Sequence, residues 1–209
     1  HQGFEFIENL DLEFYAKDAA RQAVTMLKAG LCPSGKMPVV IDNGFGGVIF
    51  HEACGHGLEA SSVSKGLSVF SSKLGQKVAS EFVTAIDDGT IPNAWGSLNV
   101  DDEGTKTQRN VLIENGILKS YLVDKLNGRR MNMASTGSSR RQNYRFAPTS
   151  RMTNTFIANG PHTRAEIIAN TEYGLYAKSM GGGSVNPATG DFNFAVNEGY
   201  IIRNGQIAE

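Results

Sequence analysis

Two histidines and a glutamate lie close together in this chain: His51, Glu52 and His56. The chain has only four histidines in total, so two of them fall within one short segment. Neutral imidazole is the commonest side-chain ligand for metals, and zinc hydrolases combine such ligands with a carboxylate that takes a proton from the attacking water. The three residues therefore predict a zinc site with His51 and His56 as ligands and Glu52 as the general base.

The spacing of the two histidines departs from the H-E-x-x-H pattern, in which both histidines lie on one face of a helix. Here one additional residue separates them. At about 100° per residue, an i,i+4 pair diverges by about 40° around a helix, whereas an i,i+5 pair diverges by about 140°. A regular α-helix could not direct both rings at one ion. We therefore expect either a π-bulge between Ala53 and Gly57, or an early helix end with unusual backbone angles at Gly55 and Gly57.

Three motifs in this sequence resemble those of a known family. Residues 51–60 are similar to the H-E-x-x-x-H segment of the TldD branch of the TldD/PmbA family, whose members were formerly called modulators of DNA gyrase. Residues 151–155 resemble the family's R-M-T-N-T run, and residues 181–187 and 190–192 resemble its Gly-rich segment and the strand that follows. The motifs occur in family order and cover most of the chain.

The resemblance implies a cytoplasmic zinc metallopeptidase that acts on peptides or unfolded protein segments, in peptide maturation or degradation. It implies zinc bound by His51 and His56, with Glu52 as the catalytic residue. The third ligand would be a cysteine of a later segment, expected beyond residue 209, so we expect weak or absent zinc if the chain is truncated. The resemblance also implies a homodimer, or a heterodimer with a PmbA-type subunit, which lacks the H-E-x-x-x-H motif.

Two further sets of residues are candidates for supporting roles. Glu59 follows His56 by three residues and could orient its imidazole from behind; otherwise it is an ordinary solvated charge. Gly181, Gly182 and Gly183 could present bare backbone to an extended peptide substrate, in the manner of strand addition. The alternative for the three glycines is a flexible turn.

Two other classes of function remain open from the sequence. One is a non-catalytic binding or regulatory subunit of the same family. The other is a nucleic-acid-associated modulator, because six arginines are interleaved with aromatic residues in one region. These arginines are Arg129, Arg130, Arg140, Arg141, Arg145 and Arg151. A net charge of −1 favours a solvated loop over a nucleic-acid interface, and no apolar run approaches the roughly 20 residues of a membrane span, so we expect neither nucleic acid nor membrane as a partner.

The elements around the motif predict an α+β fold with a largely antiparallel sheet. Residues 10–29 have a helical pattern, and residues 37–41 form a short buried-type strand that leads into the metal-motif helix, which begins near Val48. Strands are also expected over residues 78–86 and 98–100. The sequence therefore places the metal motif on a helix that follows directly from a strand.

Turn and cap signals further along the chain predict two hairpins and one helix. Asn115-Gly116 and Asn204-Gly205 each predict a two-residue hairpin turn, and Thr163 with Glu166 predicts a capping box. We expect residues 1–35 to be a linker helix from an absent N-terminal domain. Residues 36–209 would then form the catalytic metallopeptidase domain, incomplete at its C-terminus. Two widely separated cysteines fit a reducing cytosol.

Overall fold

A computed structural model describes residues 3–208 and has the predicted α+β architecture, with mostly antiparallel sheets. The α-helices are α1 (Glu5–Glu8), α2 (Leu12–Leu27), α3 (Val48–Phe50), α4 (Ala60–Val63), α5 (Lys125–Met131) and α6 (Arg164–Ala169). The strands are β1 (Val39–Ile41), β2 (Ala85–Asp88), β3 (Arg109–Glu114), β4 (Ile117–Leu118), β5 (Ser139–Arg140), β6 (Thr149–Ser150), β7 (Thr155–Ile157), β8 (Tyr173–Val185), β9 (Phe192–Arg203) and β10 (Gln206–Ala208). None of the described helices is long and apolar enough to cross a bilayer.

The chain divides into two compact units. The first contains the residues up to Gly46, His162–Gly181 and the residues from Ala195 onward. The second contains Gly47–Pro161 and Gly182–Phe194. The expected boundary between a linker of residues 1–35 and a domain of residues 36–209 stays a prediction.

The second unit is built on an antiparallel sheet with the strand order β4-β3-β2-β7. Its centre is a cluster of fully buried aliphatic side chains that includes Leu58, Leu112 and Leu122. Leu58 and Leu122 are joined further by backbone hydrogen bonds, because Leu122 N donates to Leu58 O and Ala60 N donates to Leu122 O. The end of the metal motif is thereby fixed to the hydrophobic core.

The first unit contains most of a sheet with the order β1-β8-β9-β10, in which β1 runs parallel to β8. Asp11 caps the N-terminus of helix α2, since its carboxylate accepts a hydrogen bond from Phe14 N. Helix α6 begins with the predicted capping box of Thr163 and Glu166. The helix predicted over residues 10–29 is therefore confirmed, with slightly narrower bounds, and so is the start of α6.

Both predicted hairpins are present, with the left-handed backbone angles that such turns require. Asn115 and Gly116 have φ of 48° and 79° between β3 and β4, and Asn204 and Gly205 have φ of 50° and 74° between β9 and β10. The strand expected over residues 78–86 was wrong for most of its length. Only Ala85–Asp88 is a strand, because a turn in which Val83 N donates to Ser80 O precedes it.

The short strand expected at residues 98–100 was also wrong. In place of a strand the chain forms an isolated bridge, in which Val100 pairs with Lys106 around a tight acidic turn. The carboxylate of Asp101 accepts hydrogen bonds from the backbone N–H groups of Glu103, Thr105 and Ser139. Within residues 98–100, Leu98 N donates to Gly89 O and Asn99 O accepts from Thr107 N, so the segment has only scattered backbone bonds and no regular ladder.

Candidate metal centre

The metal motif lies on one continuous helical segment with three kinds of winding. A 3₁₀ turn (Gly44–Gly47) leads into α3, a π-helical turn follows (His51–Gly55), and a second 3₁₀ turn ends the segment (His56–Leu58). In the π turn the N–H of His56 donates to the carbonyl oxygen of His51, five residues earlier. The extra residue between the histidines is absorbed there, so the predicted bulge near Gly55 is confirmed.

The π turn brings the two imidazole rings together. The ring centroids of His51 and His56 lie 4.8 Å apart, with the ring planes at 89° to each other. The carboxylate of Glu52 lies beside them, with Oε2 3.9 Å from Nε2 of His56. All three side chains are partly exposed, and one donor atom from each lies within 4.8 Å of the other two.

The two glycines of the motif are needed for close packing and not for unusual backbone angles. Gly55 has a helical φ of −55°. A Cβ built on it would lie 2.1 Å from the sulfur of Met152, and a Cβ built on Gly57 would lie 2.9 Å from the ring of Phe70. Real Cβ atoms almost never approach other atoms so closely. The alternative of an early helix end at these glycines is therefore not what the chain adopts.

Glu59 lies behind His56 and is almost completely buried, with 4% of its surface exposed. Its Oε1 accepts a hydrogen bond from Nδ1 of His56 at 3.2 Å, and its Oε2 accepts one from Nη1 of Arg151 at 2.9 Å. The contact with Glu59 assigns the imidazole proton to Nδ1, which leaves Nε2 as a lone-pair donor on the side of Glu52.

The electrostatic surroundings of the two imidazoles differ. Burial, and then the proximity of His56, lower the pKa of His51 below its ordinary value. The hydrogen bond to Glu59 raises the pKa of His56. Deprotonated ring nitrogens are the form that binds metals, so the surroundings of His51 favour the metal-binding form.

The donor chemistry of this group fits a divalent metal ion. Two imidazoles and one carboxylate are borderline and hard donors that suit zinc and neighbouring first-row metals. Ligands around a tetrahedral zinc lie about 3.4 Å apart at bond lengths of about 2.1 Å. The donor atoms here lie within 4.8 Å of one another, so small side-chain rotations would bring them to metal-binding separations.

Cys54 belongs to the motif sequence but not to the donor group. Its side chain packs against the buried cluster around Phe50 and Leu58. Burial raises the pKa of its thiol above the ordinary value, so the thiolate that a metal requires is disfavoured. Within the described residues, the group of possible metal donors comprises His51, Glu52 and His56.

The three glycines at residues 181–183 lie within β8, which pairs with β9. Gly181 and Gly183 face β9, where an added Cβ would lie 3.0 Å or less from atoms of Ala195 and Phe194. A Cβ on Gly182 would meet nothing within 4 Å. The glycines therefore form a regular strand and not a flexible turn, and their predicted contact with substrate stays a prediction.

Sequence reasoning missed the part that residues 151–154 play around the metal motif. Arg151 binds Glu59, and Met152 packs against Gly55. Thr153 donates to the buried carboxylate of Asp87 through its N–H (2.7 Å) and its hydroxyl (2.8 Å). Burial raises the pKa of Asp87 to about 6. The R-M-T-N-T run itself was the available signal, but sequence alone did not show which partners it has.

Two kinds of comparison place this chain among known proteins. The matching family model is described as the PmbA/TldA metallopeptidase C-terminal domain and covers residues 34–209. Metalloprotease TldD homologs from Buchnera aphidicola (subsp. Acyrthosiphon pisum) and Haemophilus influenzae are 48% and 44% identical over 200 and 207 residues. These matches cover 96% and 99% of this chain but only 41% and 43% of the relatives. The chain therefore spans about two fifths of the length of these curated relatives.

Solved structures share the fold. A protein from Thermotoga maritima, named as a modulator of a DNA gyrase, superimposes with a TM-score of 0.82 at 28% identity, covering 96% of this chain and 46% of that one. TldE from Thermococcus kodakarensis superimposes with a TM-score of 0.79 at 26% identity, covering 95% and 45%.

Proposed function

We propose that this chain, which belongs to the TldD/PmbA metallopeptidase family, carries part of the active site of a zinc-dependent peptidase. The reaction is hydrolysis of peptide bonds in peptides or unfolded protein segments, in peptide maturation or degradation. Because the chain spans about two fifths of the length of its curated relatives, the proposal concerns the whole protein that contains it.

The observation that carries the proposal is the convergence of His51, Glu52 and His56. A π turn is a strained winding that occurs mostly at functional sites, and here it directs two imidazoles and a carboxylate into one space. A purely structural helix has no need of this arrangement, because regular winding would satisfy its backbone hydrogen bonds equally well.

In this proposal His51 and His56 hold the ion through ring nitrogens, with Nε2 as the donor atom of His56. A cysteine thiolate from outside this chain supplies the third protein ligand. The ion, when bound, polarises the scissile carbonyl and makes the attacking water more acidic. Glu52 accepts a proton from that water on its carboxylate and then returns it to the leaving amine nitrogen. Glu59 holds the imidazole of His56 in place.

The substrate would lie as an extended chain beside residues 181–183. Among the described strands, β1 pairs with β8 only at residues 175–177, so the later part of β8 has no strand next to it on that edge. An extended peptide could add its backbone there, and the glycines would let it approach closely. This arrangement suits unfolded segments better than folded proteins, because the substrate backbone must be free of its own hydrogen bonds to pair with β8.

The remaining proposals concern partners and location. The likeness to TldE supports a heterodimer with a PmbA-type subunit, and a homodimer is the alternative. We place the protein in the cytoplasm, and we assign it neither a membrane nor a nucleic acid as a partner. Residues 1–35 would link this chain to an N-terminal domain.

Replacement of Glu52 by glutamine tests the central assignment. In the full-length protein, Glu52→Gln should lower hydrolysis of unstructured reporter peptides by about 10²–10⁴-fold and leave the zinc content unchanged. Glu114→Gln is the matched control, since Glu114 lies on a strand surface and pairs with Lys119. Undiminished hydrolysis by a zinc-loaded Glu52→Gln protein would remove Glu52 from the role.

Metal analysis with a cleavage assay tests one of the two other functional classes, and a DNA-binding assay tests the second. A non-catalytic subunit would contain no stoichiometric zinc and would cleave no peptide. A nucleic-acid-associated modulator would bind DNA with strong salt dependence. Either result would replace the peptidase assignment.

A further inference from the structure

The carboxylate of Glu59 is shared between a candidate metal ligand and an arginine. One oxygen accepts from Nδ1 of His56 (3.2 Å) and the other accepts from Nη1 of Arg151 (2.9 Å). The Glu59 side chain is 5% exposed, whereas that of Arg151 is 39% exposed. A buried carboxylate needs a compensating charge and satisfied lone pairs, and Arg151 provides both from the protein surface.

Hydrogen bonds also fix the backbone next to Glu59 and next to Arg151. Ser150, which precedes Arg151, is fully buried, and its hydroxyl accepts a hydrogen bond at 2.9 Å from the N–H of Ser61, two residues after Glu59. Ser150 N in turn donates to the carboxylate of Asp124. Glu59 and Arg151 are 92 residues apart in sequence. The distance between their backbones is nevertheless fixed by the bonds of Ser61, Ser150 and Asp124, which do not involve the side chains of the ion pair.

This geometry restricts the orientation of His56. A glutamate side chain that contacted only an imidazole could rotate about its terminal bonds and present either oxygen. With Oε2 held by Arg151, Oε1 is left to face Nδ1. The proton of a neutral His56 then lies on Nδ1. Nε2 carries the lone pair and lies 3.9 Å from Oε2 of Glu52. Metal ligands are commonly oriented by such outer hydrogen bonds.

We propose that Arg151 is a positioning residue for the metal site: it fixes Glu59, and through Glu59 it fixes the ring orientation and tautomer of His56. The inference rests on the proposed function in so far as His56 is a metal ligand. Arg151 itself does not touch the ion or the substrate. Arg151 contributes by holding Nε2 of His56 in its metal-binding orientation before a metal binds. This lowers the free-energy cost of reorienting the imidazole on binding.

The first test reads the tautomer directly, without metal or substrate. Metal-free protein labelled with ¹⁵N-histidine is examined by NMR at alkaline pH, where the neutral imidazoles show which ring nitrogen carries the proton. Wild-type His56 should be in the Nδ1–H form, whereas Arg151→Met should give a mixture of both tautomers. Arg151→Lys should restore part of the wild-type population, because lysine keeps the charge but not the planar geometry of the guanidinium.

The matched control is Arg164→Met. Arg164 likewise pairs with a partly buried carboxylate, at 3.1 and 3.0 Å from the two oxygens of Asp42, but this pair lies outside the metal motif. The control should leave the His56 signals unchanged. An unaltered His56 tautomer in Arg151→Met would overturn the inference, and so would an equal change in the control. If Arg151→Met does not fold, the uncharged Arg151→Gln replaces it, and an unaltered His56 tautomer in the folded Arg151→Gln protein overturns the inference too.

A second measurement separates this inference from the proposed function. In the full-length protein, Arg151→Met should weaken zinc binding by about tenfold, measured by competition with a chelator, and Arg164→Met should not. If the wild-type protein binds no zinc but Arg151→Met still changes the His56 tautomer, the proposed function fails and the positioning role stands. If zinc binding is equal in wild type and Arg151→Met and the tautomer is unchanged, the positioning role fails alone.

Discussion

The sulfur of Met152 occupies the place where a side chain at Gly55 would begin, since a Cβ built on Gly55 lies 2.1 Å from it. Met152 is 3% exposed and belongs to the core of the second unit. The π turn therefore rests directly on the R-M-T-N-T segment. Two of the three motifs that resemble those of the family are therefore packed against each other in the fold.

Gly55→Ala should destabilise the protein and weaken its metal binding. The added methyl group must displace Met152 or shift the π turn, and overpacking of this kind costs about 1–3 kcal/mol. Urea unfolding measures the first effect and chelator competition the second.

Two companion variants test whether contact with Met152 causes the destabilisation of Gly55→Ala. Gly47→Ala lies on the same helical segment, has a helical φ of −59° and meets no atom within 4 Å, so it should be neutral or slightly stabilising. Combining Gly55→Ala with Met152→Ala should recover part of the lost metal affinity. Equal stability of Gly55→Ala and Gly47→Ala would contradict the packing argument.

Cys54→Ala should leave the zinc content unchanged although Cys54 lies between the two histidines. The thiol is turned into the apolar cluster, and burial raises its pKa. We expect a loss of unfolding free energy of about 1 kcal/mol from the missing contacts. Elemental analysis of the purified full-length protein checks the zinc, with His51→Ala as the variant that should lose it. Loss of zinc from Cys54→Ala would make the thiol a ligand.

Asn154→Ala should loosen the loop that carries the single tryptophan, Trp95. The Asn154 amide accepts from Gly96 N at 2.8 Å and donates to Asp88 O at 2.7 Å and to Ser97 Oγ at 2.9 Å. At about 0.5–1.5 kcal/mol for each bond, the loop should lose about 2–3 kcal/mol of local stability.

Hydrogen exchange at Gly96 measures the loosening of this loop, with exchange in the β3–β4 hairpin as the internal reference. Tryptophan fluorescence would be a poor probe of unfolding, since Trp95 is already fully exposed. Unchanged exchange at Gly96 in Asn154→Ala would refute the role of the amide.

Glu198→Gln should destabilise the first unit in a pH-dependent way. Glu198 is buried and binds Arg21 through both oxygens (2.8 and 2.9 Å) and Lys178 at 2.9 Å. Its hydrogen bond with Arg21, and further bonds with Tyr200 and Lys178, lower its pKa from the ordinary 4.5 to about 2. Because the folded value is the lower one, the ion pair stabilises the fold fully above pH 4.5 and this contribution is lost as the pH falls toward 2.

The measurement is the difference in unfolding free energy between wild type and Glu198→Gln as a function of pH. Since the Arg21 side chain is 40% exposed, solvent screening reduces the effect, and we expect about 2 kcal/mol at pH 7. The difference should shrink below pH 4.5 and vanish near pH 2. A difference that is constant over this range would mean that packing, and not charge, accounts for the loss.

Local signals in the sequence predicted the features that depend on neighbouring residues. The i,i+5 spacing of His51 and His56 required a departure from α-helical winding, and the π turn is that departure. The Asn-Gly turns and the capping box were likewise predictable, because each is determined by backbone angles or hydrogen bonds within a few residues.

Features set by distant partners could not be predicted. The segment of residues 78–84 has the composition of a strand, but its backbone bonds go to a local turn and to the tip of the β3–β4 hairpin. Arg151 was one of six arginines in a polar region, and nothing in the sequence linked it to Glu59. For the glycines at residues 181–183 the sequence left a flexible turn open as the alternative to substrate contact, whereas pairing with β9 holds them in a strand.

The helical segment of the metal motif is anchored to one hydrophobic core on both sides of its π turn, by Phe50 before it and Leu58 after it. Removing a single residue such as Ala53 would restore the H-E-x-x-H spacing. Because the π turn absorbs this residue, the shortened segment could wind as a regular α-helix and keep both Phe50 and Leu58 in the interior. The two histidines would then be i,i+4 neighbours on one helix face. The hydrophobic core is thus compatible with either spacing, and a single deletion inside the π turn would convert the longer motif into the shorter one.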